Sequence, residues 1–304
     1  MTLDVAGLIA GTKDTTNTQG LSEDQPDLEQ QMVADPTMPV PDLRVNEPAP
    51  QPTVDLIDKL MERIKSPDEA SPYLKLCIYG FYGCGKTVFT ATGPKMTLHY
   101  DVEDGGKSIR NHPQLKGNVM ILPFTSVGQF DLLLGALEND DPRFDEYKMF
   151  VFDSASAFQQ AMSSEHIKRE AKMDGSRSKF LPADGDQYLF SNMMKDYLTR
   201  IKKLNRHVIV TALAQGIKEE ATGKLYIRPV LTPKVAEHLG AWYDMVGYMH
   251  ANVTADGNFT NWLQVVPSEK VAAKTRIGGL PPAIENPTFN FILETFEKNG
   301  RLTN

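Results

Sequence analysis

The chain has 304 residues, of which 41% are hydrophobic and 23% are charged, and its formal net charge is −7. This composition is ordinary for a globular protein with one large or two small domains. No run approaches the 18 apolar residues of a membrane-spanning helix, so we expect no membrane partner.

The acidic excess lies wholly in residues 1–52, which hold nine acidic and two basic side chains. The rest of the chain is neutral overall, so its charge neither requires nor excludes a nucleic-acid partner. Residues 1–52 are also rich in Pro, Gln and Thr, and nearly free of aromatic side chains. Such a segment cannot bury enough apolar surface to offset the entropy of ordering, so we predict a disordered acidic, Pro-rich tail.

Residues 53–72 are predicted to form a lead-in helix and a linker. Leu56, Leu60 and Ile64 have the spacing of one helical face, and Pro67 is expected to end the helix.

Residues 73–304 are predicted to form one α/β domain. Short apolar strands alternate with helical stretches, which favours a mainly parallel sheet with helices on both faces. The predicted strands are 74–79, 96–100, 118–122, 148–152 and 207–212, and the predicted helices are 85–92, 127–138, 155–171 and 187–204. The later strands, at 224–230, 243–251, 259–266 and 270–274, are expected to form an antiparallel C-terminal extension before a final helix at 288–298.

Cysteine and histidine offer no pattern for a disulfide or a structural metal. Cys77 lies in an apolar strand and Cys84 in a glycine-rich loop, where a disulfide would distort both. This usage indicates a reducing, cytoplasmic compartment. The six histidines show no metal-ligand spacing.

The loop after the first strand, GFYGCGKT, fits the phosphate-binding pattern G-x-x-x-x-G-K-[ST]. Its glycines let backbone N–H groups converge on an anion. The lysine of this pattern reaches the β- and γ-phosphates, and the threonine hydroxyl binds Mg²⁺. The residues predicted to bind ATP are Gly80, Phe81, Tyr82, Gly83, Cys84, Gly85, Lys86, Thr87 and Val88.

Two carboxylates fit a site for nucleotide hydrolysis. Asp153 ends the apolar strand MFVFD, which is the Walker B pattern, and is expected to hold Mg²⁺ together with Thr87. Glu103, in the turn DVED after the second strand, is the predicted general base. Asp101 and Asp104 are alternative bases, and a further alternative is an acidic turn that only caps the next helix.

Together these motifs resemble the RecA-like P-loop ATPase core. The P-loop, the glutamate in HYDVE and the aspartate–serine pair after MFVF occur in the order typical of that core, over about residues 74–276. The likeness is to phage-type ATPases of the minimal RecA-core group, which are single-strand annealing recombinases. It implies an ATP- and Mg²⁺-dependent ATPase that acts on single-stranded DNA in the cytoplasm of a phage-infected bacterial cell. It also implies a homo-oligomer, either a ring or a filament.

The resemblance places two DNA-binding loops after Walker B, at 168–180 and 216–230. Basic side chains would follow the phosphates, and aromatic rings would stack on bases at about 1–3 kcal/mol each. The alternatives are a solvated helix end with a flexible loop for the first, and a plain β-hairpin for the second. The expected DNA contacts are Lys168, Arg169, Lys172, Arg177, Lys179, Phe180, Lys218, Lys224, Tyr226 and Arg228.

Two further features follow from the resemblance. Lys274 and Arg276 in KTRIGG are similar to the pair that reaches the γ-phosphate of a neighbouring subunit in hexameric RecA-like helicases, although a basic turn facing solvent fits equally. Thr211 or Gln215 is expected to sense the γ-phosphate.

The acidic tail could recruit a protein partner, such as a single-strand-binding protein. The alternative functions are a ring-forming DNA motor of the helicase or packaging type, and a nucleotide-gated adaptor with little hydrolysis.

Overall fold

The computed structural model describes residues 54–64, 71–218, 223–253 and 256–301, so the predicted acidic tail lies outside the described residues. Helix α1 (Val54–Met61) is a separate unit and is shorter than the sequence suggests. It ends because the N–H groups of Arg63 and Ile64 bond to carbonyls three residues back, which tightens the last turn. No helix within the described ranges has the length and apolar content needed to cross a bilayer.

Residues 71–301, where described, form a ten-stranded sheet. Its strands are β1 (Lys75–Gly80), β2 (Thr97–Asp101), β3 (Val119–Pro123), β4 (Met149–Asp153), β5 (His207–Lys218), β6 (Leu225–Pro229), β7 (Met245–Val253), β8 (Phe259–Gln264), β9 (Lys274–Thr275) and β10 (Ala283–Glu285). The order is β10-β8-β7-β1-β5-β4-β2-β3, with β6 paired to β5 and β9 to β7. The strands from β7 to β3 in this order are parallel, whereas β6, β8, β9 and β10 pair antiparallel.

Helices cover both faces of the sheet. They are α2 (Lys86–Thr90), α3 (Lys107–Arg110), α4 (Val127–Glu138), α5 (Ala155–Met173), α6 (Asp186–Lys202), α7 (Pro233–Trp242) and α8 (Phe289–Arg301). Side chains of α4, α5, α6 and α7 join the core on one face, and those of α2 and α8 join the core on the other. The prediction of a parallel α/β sheet with an antiparallel C-terminal extension is confirmed.

Some predicted elements are wrong or missing. Helix α7 was missed, although Pro233 stands at its start and both Val235 and Leu239, four residues apart, are buried. Of the predicted strand 270–274, the structure keeps a strand only around Lys274, in β9. The residues before it bond to β6 instead: the N–H of Ile227 donates to the carbonyl of Lys270, and the N–H of Ala272 donates to the carbonyl of Ile227. The short elements α3 and β10 were also missed.

The strand order decides which residues can meet. Strand β5 lies between β1 and β4, so the P-loop strand and the Walker B strand are not direct neighbours. Because the parallel strands all end at the same edge, the segments that follow β1, β2 and β4 lie together there. In the register of β2 and β4, Asp101 is directly opposite Asp153.

A cluster of buried aromatic rings packs α4 and α5 against the strands that carry these aspartates. Phe130 of α4 lies 4.9 Å from Tyr100, 4.8 Å from Phe152 and 4.8 Å from Phe158, measured between ring centroids. All four side chains are fully buried. Phe130 therefore anchors α4 to β2, β4 and α5 at once.

Replacing Phe130 tests this anchor. We expect Phe130→Ala to lower the free energy of unfolding by about 3–5 kcal/mol, because it removes the ring contacts and leaves a cavity. Leu132→Ala on the same helix is the matched control, since Leu132 is 78% exposed, and we expect a change within about 0.5 kcal/mol. Urea denaturation measures both variants, and equal effects would contradict the anchoring role.

Candidate active site

The loop GFYGCGKT connects β1 to α2 and encloses the side chain of Lys86. The Lys86 Nζ donates to the carbonyl oxygens of Gly80 at 2.9 Å and Phe81 at 3.0 Å, and the residue is only 8% exposed. Gly83 and Gly85 have φ angles of 75° and 87°, a region that favours glycine. The loop therefore curls around a buried positive charge, as a phosphate-binding loop requires.

Gly80 is needed because two other groups touch its backbone. A Cβ at this position would lie 2.2 Å from the carbonyl oxygen of Met249 in β7 and 2.6 Å from the Cys84 Sγ. Cys84 is itself buried, and burial raises the pKa of its thiol. Cys84 therefore serves packing, since a thiol that stays protonated is a poor nucleophile.

The carboxylate of Asp153 is held by hydroxyl groups from two other elements. Thr87 Oγ1 donates to Asp153 Oδ2 at 2.8 Å, and Thr211 Oγ1 of β5 donates to Asp153 Oδ1. Asp153 is 3% exposed, and burial alone would raise its pKa. The neighbouring His99 ring and the hydrogen bonds from Thr211 and Thr87 outweigh that effect and hold the pKa of Asp153 below its ordinary value. The carboxylate is therefore kept ionised.

This arrangement fits Mg²⁺ that is shared with nucleotide phosphates. A hydroxyl oxygen and a carboxylate oxygen are hard ligands of the kind Mg²⁺ prefers. Among the described residues, no group of three or more His, Cys, Asp or Glu side chains could hold a metal alone. Gly105 leaves the site open, because a Cβ there would lie 3.3 Å from Thr87 Oγ1 and 3.9 Å from Asp153 Oδ2.

Asp101 organises the turn that leads from β2 toward this site. Its buried carboxylate accepts hydrogen bonds from the backbone N–H groups of Glu103, Gly105 and Gly106, at 3.2, 3.0 and 2.8 Å. Asp104 instead lies at the surface and forms an ion pair with Lys107. The geometry therefore favours Glu103 over both aspartates as the candidate base.

Glu103 is tied to the end of β4 by Ser154, the serine that follows Asp153 in the Walker B pattern. Ser154 Oγ donates to Glu103 Oε1 and accepts a hydrogen bond from the N–H of Ala157 at 3.2 Å, which caps α5. Ser154 directly follows Asp153, so the metal-binding and base candidates are fixed to adjacent positions of one strand end.

The whole arrangement corresponds to a known type of nucleotide-binding domain. A family model described as an AAA domain matches residues 73–277, which is more than half of the chain. The chain belongs to the AAA domain family. The domain is thus a P-loop ATPase of the AAA type, and such domains use ATP and Mg²⁺. No curated protein matches the chain.

A small cavity adjoins the P-loop of the AAA domain. It has a volume of about 120 Å³ and is lined by Gly85, Val88, Phe89, Thr92, Met249, Asn261, Asn286 and Pro287. The backbone N–H of Asn286 donates to the carbonyl of Asn261 at 2.7 Å. Both asparagines therefore line a cavity beside the P-loop, and the Asn261 amide lies close to Gly85. No local sequence signal marks them, because only the pairing of distant strands brings them to the P-loop.

The two candidates for sensing the γ-phosphate occupy different places on β5. Thr211 is fully buried and bonds to Asp153. The Gln215 Nε2 donates to the carbonyl of Pro229 at 3.4 Å, within the hairpin of β5 and β6. The structure therefore brings Thr211 to the site and leaves Gln215 outside it.

Lys274 and Arg276 contact the end of α7 in their own chain. Lys274 Nζ donates to the carbonyl of Gly240, and Arg276 Nη2 donates to that of Ala241 at 3.0 Å. Arg276 Nη1 also lies 3.5 Å from a carboxylate oxygen of Asp244. Cations at a helix C-terminus are stabilising, so the pair caps α7 here. The role of Lys274 and Arg276 in a neighbouring subunit stays a prediction.

The first predicted DNA segment is partly helix and partly loop. Lys168, Arg169 and Lys172 are exposed on α5, and Lys179 and Phe180 are exposed in the following loop. Arg177 instead lies 2.6 Å from Asp186 and 3.5 Å from Glu170, in ion pairs that tie the loop to α5 and α6. Arg177 is therefore paired within its own chain, and its contact with DNA stays a prediction.

The second predicted DNA segment is the alternative β-hairpin. Strands β5 and β6 pair from Ala214 with Pro229 to Lys218 with Leu225, and residues 219–222 lie outside the described residues. Lys218 and Tyr226 are exposed, Lys224 lies 2.9 Å from Glu269, and Arg228 is half-buried.

Substitution of Gly80 tests the close approach in the P-loop. We expect Gly80→Ala to lower the free energy of unfolding by about 1–3 kcal/mol, because the methyl group would overlap a backbone carbonyl. It should also weaken binding of a fluorescent ATP analogue severalfold. Gly128→Ala in α4 is the control, since its nearest contact is Ser126 Oγ at 4.0 Å. There we expect unchanged binding and a gain of about 0.5–1 kcal/mol. Wild-type binding by Gly80→Ala would contradict the assignment.

Proposed function

We propose that this AAA domain hydrolyses Mg²⁺-bound ATP and couples the reaction to single-stranded DNA in phage recombination, annealing or repair. The observation that carries hydrolysis is that Lys86, Asp153 and Glu103 converge at one edge of the sheet, through Thr87 and Ser154. A domain that only bound Mg²⁺ and nucleotide would use Asp153 but would not need a second carboxylate, Glu103, fixed beside it through Ser154.

Each side chain at the site has a distinct task in this proposal. Lys86 and the loop N–H groups hold the phosphates. Thr87 and Asp153 hold Mg²⁺, which supplies neutralisation of the charge that develops on the phosphates. Glu103 accepts a proton from the attacking water, and its bond from Ser154 orients the carboxylate for that transfer.

Glu103→Gln separates hydrolysis from binding. We expect the rate of ATP hydrolysis to fall by about 10²–10⁴-fold, because the amide cannot accept the proton. Binding of a fluorescent ATP analogue should stay within about twofold of wild type, since Glu103 does not hold the phosphates in this scheme.

Asp104→Asn is the matched control, because Asp104 lies in the same turn at the surface and pairs with the exposed Lys107. Its hydrolysis rate should remain near that of wild type. A Glu103→Gln variant with wild-type hydrolysis would refute the assignment of the base.

The DNA-binding part of the proposal is supported by one unusually exposed segment. Phe180 is 85% exposed and Leu181 is 69% exposed, directly after Lys179. Lys172 is exposed at the end of α5, a few residues before them. Apolar side chains this exposed are covered favourably by nucleic-acid bases, while the lysines can follow the phosphates.

Two variants test this surface by fluorescence anisotropy with a labelled single-stranded oligonucleotide. Phe180→Ala should weaken binding about tenfold, because a stacked base contributes about 1–3 kcal/mol. The double variant Lys172→Ala/Lys179→Ala should make the slope of log affinity against log salt concentration shallower by about 1.4, at roughly 0.7 for each lost phosphate contact.

Phe259→Ala is the control for loss of an exposed ring, since Phe259 is 77% exposed on β8. We expect it to bind the oligonucleotide like wild type. Equal losses from Phe180→Ala and Phe259→Ala would reject this surface as the DNA site.

A further inference from the structure

His99 is a buried histidine of β2 that faces the carboxylate of Asp153. It has no exposed surface, and its Nε2 lies 3.3 Å from Asp153 Oδ2. In the register of β2 and β4, His99 is opposite Val151, and Asp101 is opposite Asp153. His99 therefore lies two residues before the end of β2, on the strand next to β4, and close to the carboxylate that Thr87 and Thr211 also contact.

The second ring nitrogen of His99 faces the helix of the P-loop. His99 Nδ1 lies 3.3 Å from Thr90 Oγ1, and the Thr90 hydroxyl donates to the carbonyl of Thr87 at 2.7 Å. The imidazole therefore spans the distance between α2 and β4. Both of its nitrogens face polar groups that are directly connected to the candidate Mg²⁺ ligands.

A histidine at this position needs an explanation. Every residue of β2 is buried, and burying an imidazole among apolar neighbours is costly unless its nitrogens are used. Nδ1 has the Thr90 hydroxyl as its partner, whereas Nε2 is buried without a hydrogen bond among the described residues and lies 3.3 Å from Asp153 Oδ2. A packing role alone would be met by an apolar side chain, so the buried Nε2 is best explained by its position beside the Asp153 carboxylate.

We propose that His99 is a positioning residue that fixes the orientation of Asp153 for Mg²⁺. Asp153 Oδ1 is held by Thr211, whereas Oδ2 is approached by both Thr87 and His99. Three elements thus restrict rotation of the carboxylate, and one of its oxygens stays beside the Thr87 hydroxyl. This inference rests on the proposed Mg²⁺–ATP site and adds a residue that supports it from behind.

The experiment is a Mg²⁺ titration of the binding of a fluorescent, non-hydrolysable ATP analogue. His99→Leu keeps a similar volume without polar atoms, and His99→Gln places an amide N–H near the position of the histidine Nε2. We expect His99→Leu to raise the midpoint of the Mg²⁺ titration by about 10-fold or more, the usual loss when a supporting contact of a metal ligand is removed. His99→Gln should stay within a few-fold of wild type.

Two controls separate positioning from general damage. Binding of the analogue without Mg²⁺ should be unchanged in both His99 variants, because Lys86 and the loop are intact. His207→Leu removes another largely buried histidine, whose Nδ1 accepts from the N–H of Leu74 at 3.1 Å. It should lower stability without moving the Mg²⁺ midpoint. If His99→Leu does not fold, His99→Asn replaces it, because the shorter amide cannot reach Asp153 and should raise the midpoint similarly.

The outcomes distinguish the inference from the function on which it rests. A wild-type protein whose nucleotide binding ignores Mg²⁺ would overturn the metal site and His99's role with it. If nucleotide binding by the wild-type protein responds to Mg²⁺ and His99→Leu has the same midpoint, the role of His99 alone is overturned. Equal shifts of the Mg²⁺ midpoint in His99→Leu and His99→Gln would also overturn the role of His99, because the polar contact with Asp153 would then have no effect.

Discussion

The ionised, buried carboxylate of Asp153 is the constraint on which the site depends. A charge with 3% exposure is costly unless polar groups surround it, and here they come from α2, β2 and β5. Thr87 and Thr211 donate hydrogen bonds and His99 lies beside the same carboxylate, so its surroundings are complete only when the P-loop helix and three strands are assembled. Correct assembly of the sheet and correct geometry of the metal site are therefore one requirement.

The rest of the core keeps those elements in place. On one face the aromatic rings around Phe130 lock α4 and α5 to β2 and β4. On the other face α2 packs with α8, and Phe89 and Phe289 belong to the same buried cluster. Packing of this density leaves little freedom for the strand ends, which suits a site whose side chains must keep fixed distances.

Much of this could be predicted from sequence, because the strongest signals are local. Alternating short apolar strands and helices predicted the parallel sheet, and GFYGCGKT followed by MFVFD indicated the nucleotide site. The residues that were missed depend on long-range pairing. His99 reads as one residue of a buried strand, and only the register of β2 against β4 reveals its neighbour. The sequence alone indicates that Arg177 is an exposed cation, and only the fold shows its ion pair with Asp186.

Strand β5 connects the buried carboxylate of Asp153 to the hairpin of β5 and β6. It runs without interruption from Thr211 at the carboxylate to Lys218 in the hairpin, a span of seven residues or about 23 Å at 3.3 Å per residue. The same strand thus contacts Asp153 near one end and pairs with β6 at the other. By linkage, any ligand of the hairpin whose affinity changed with bound nucleotide would change nucleotide affinity by the same factor.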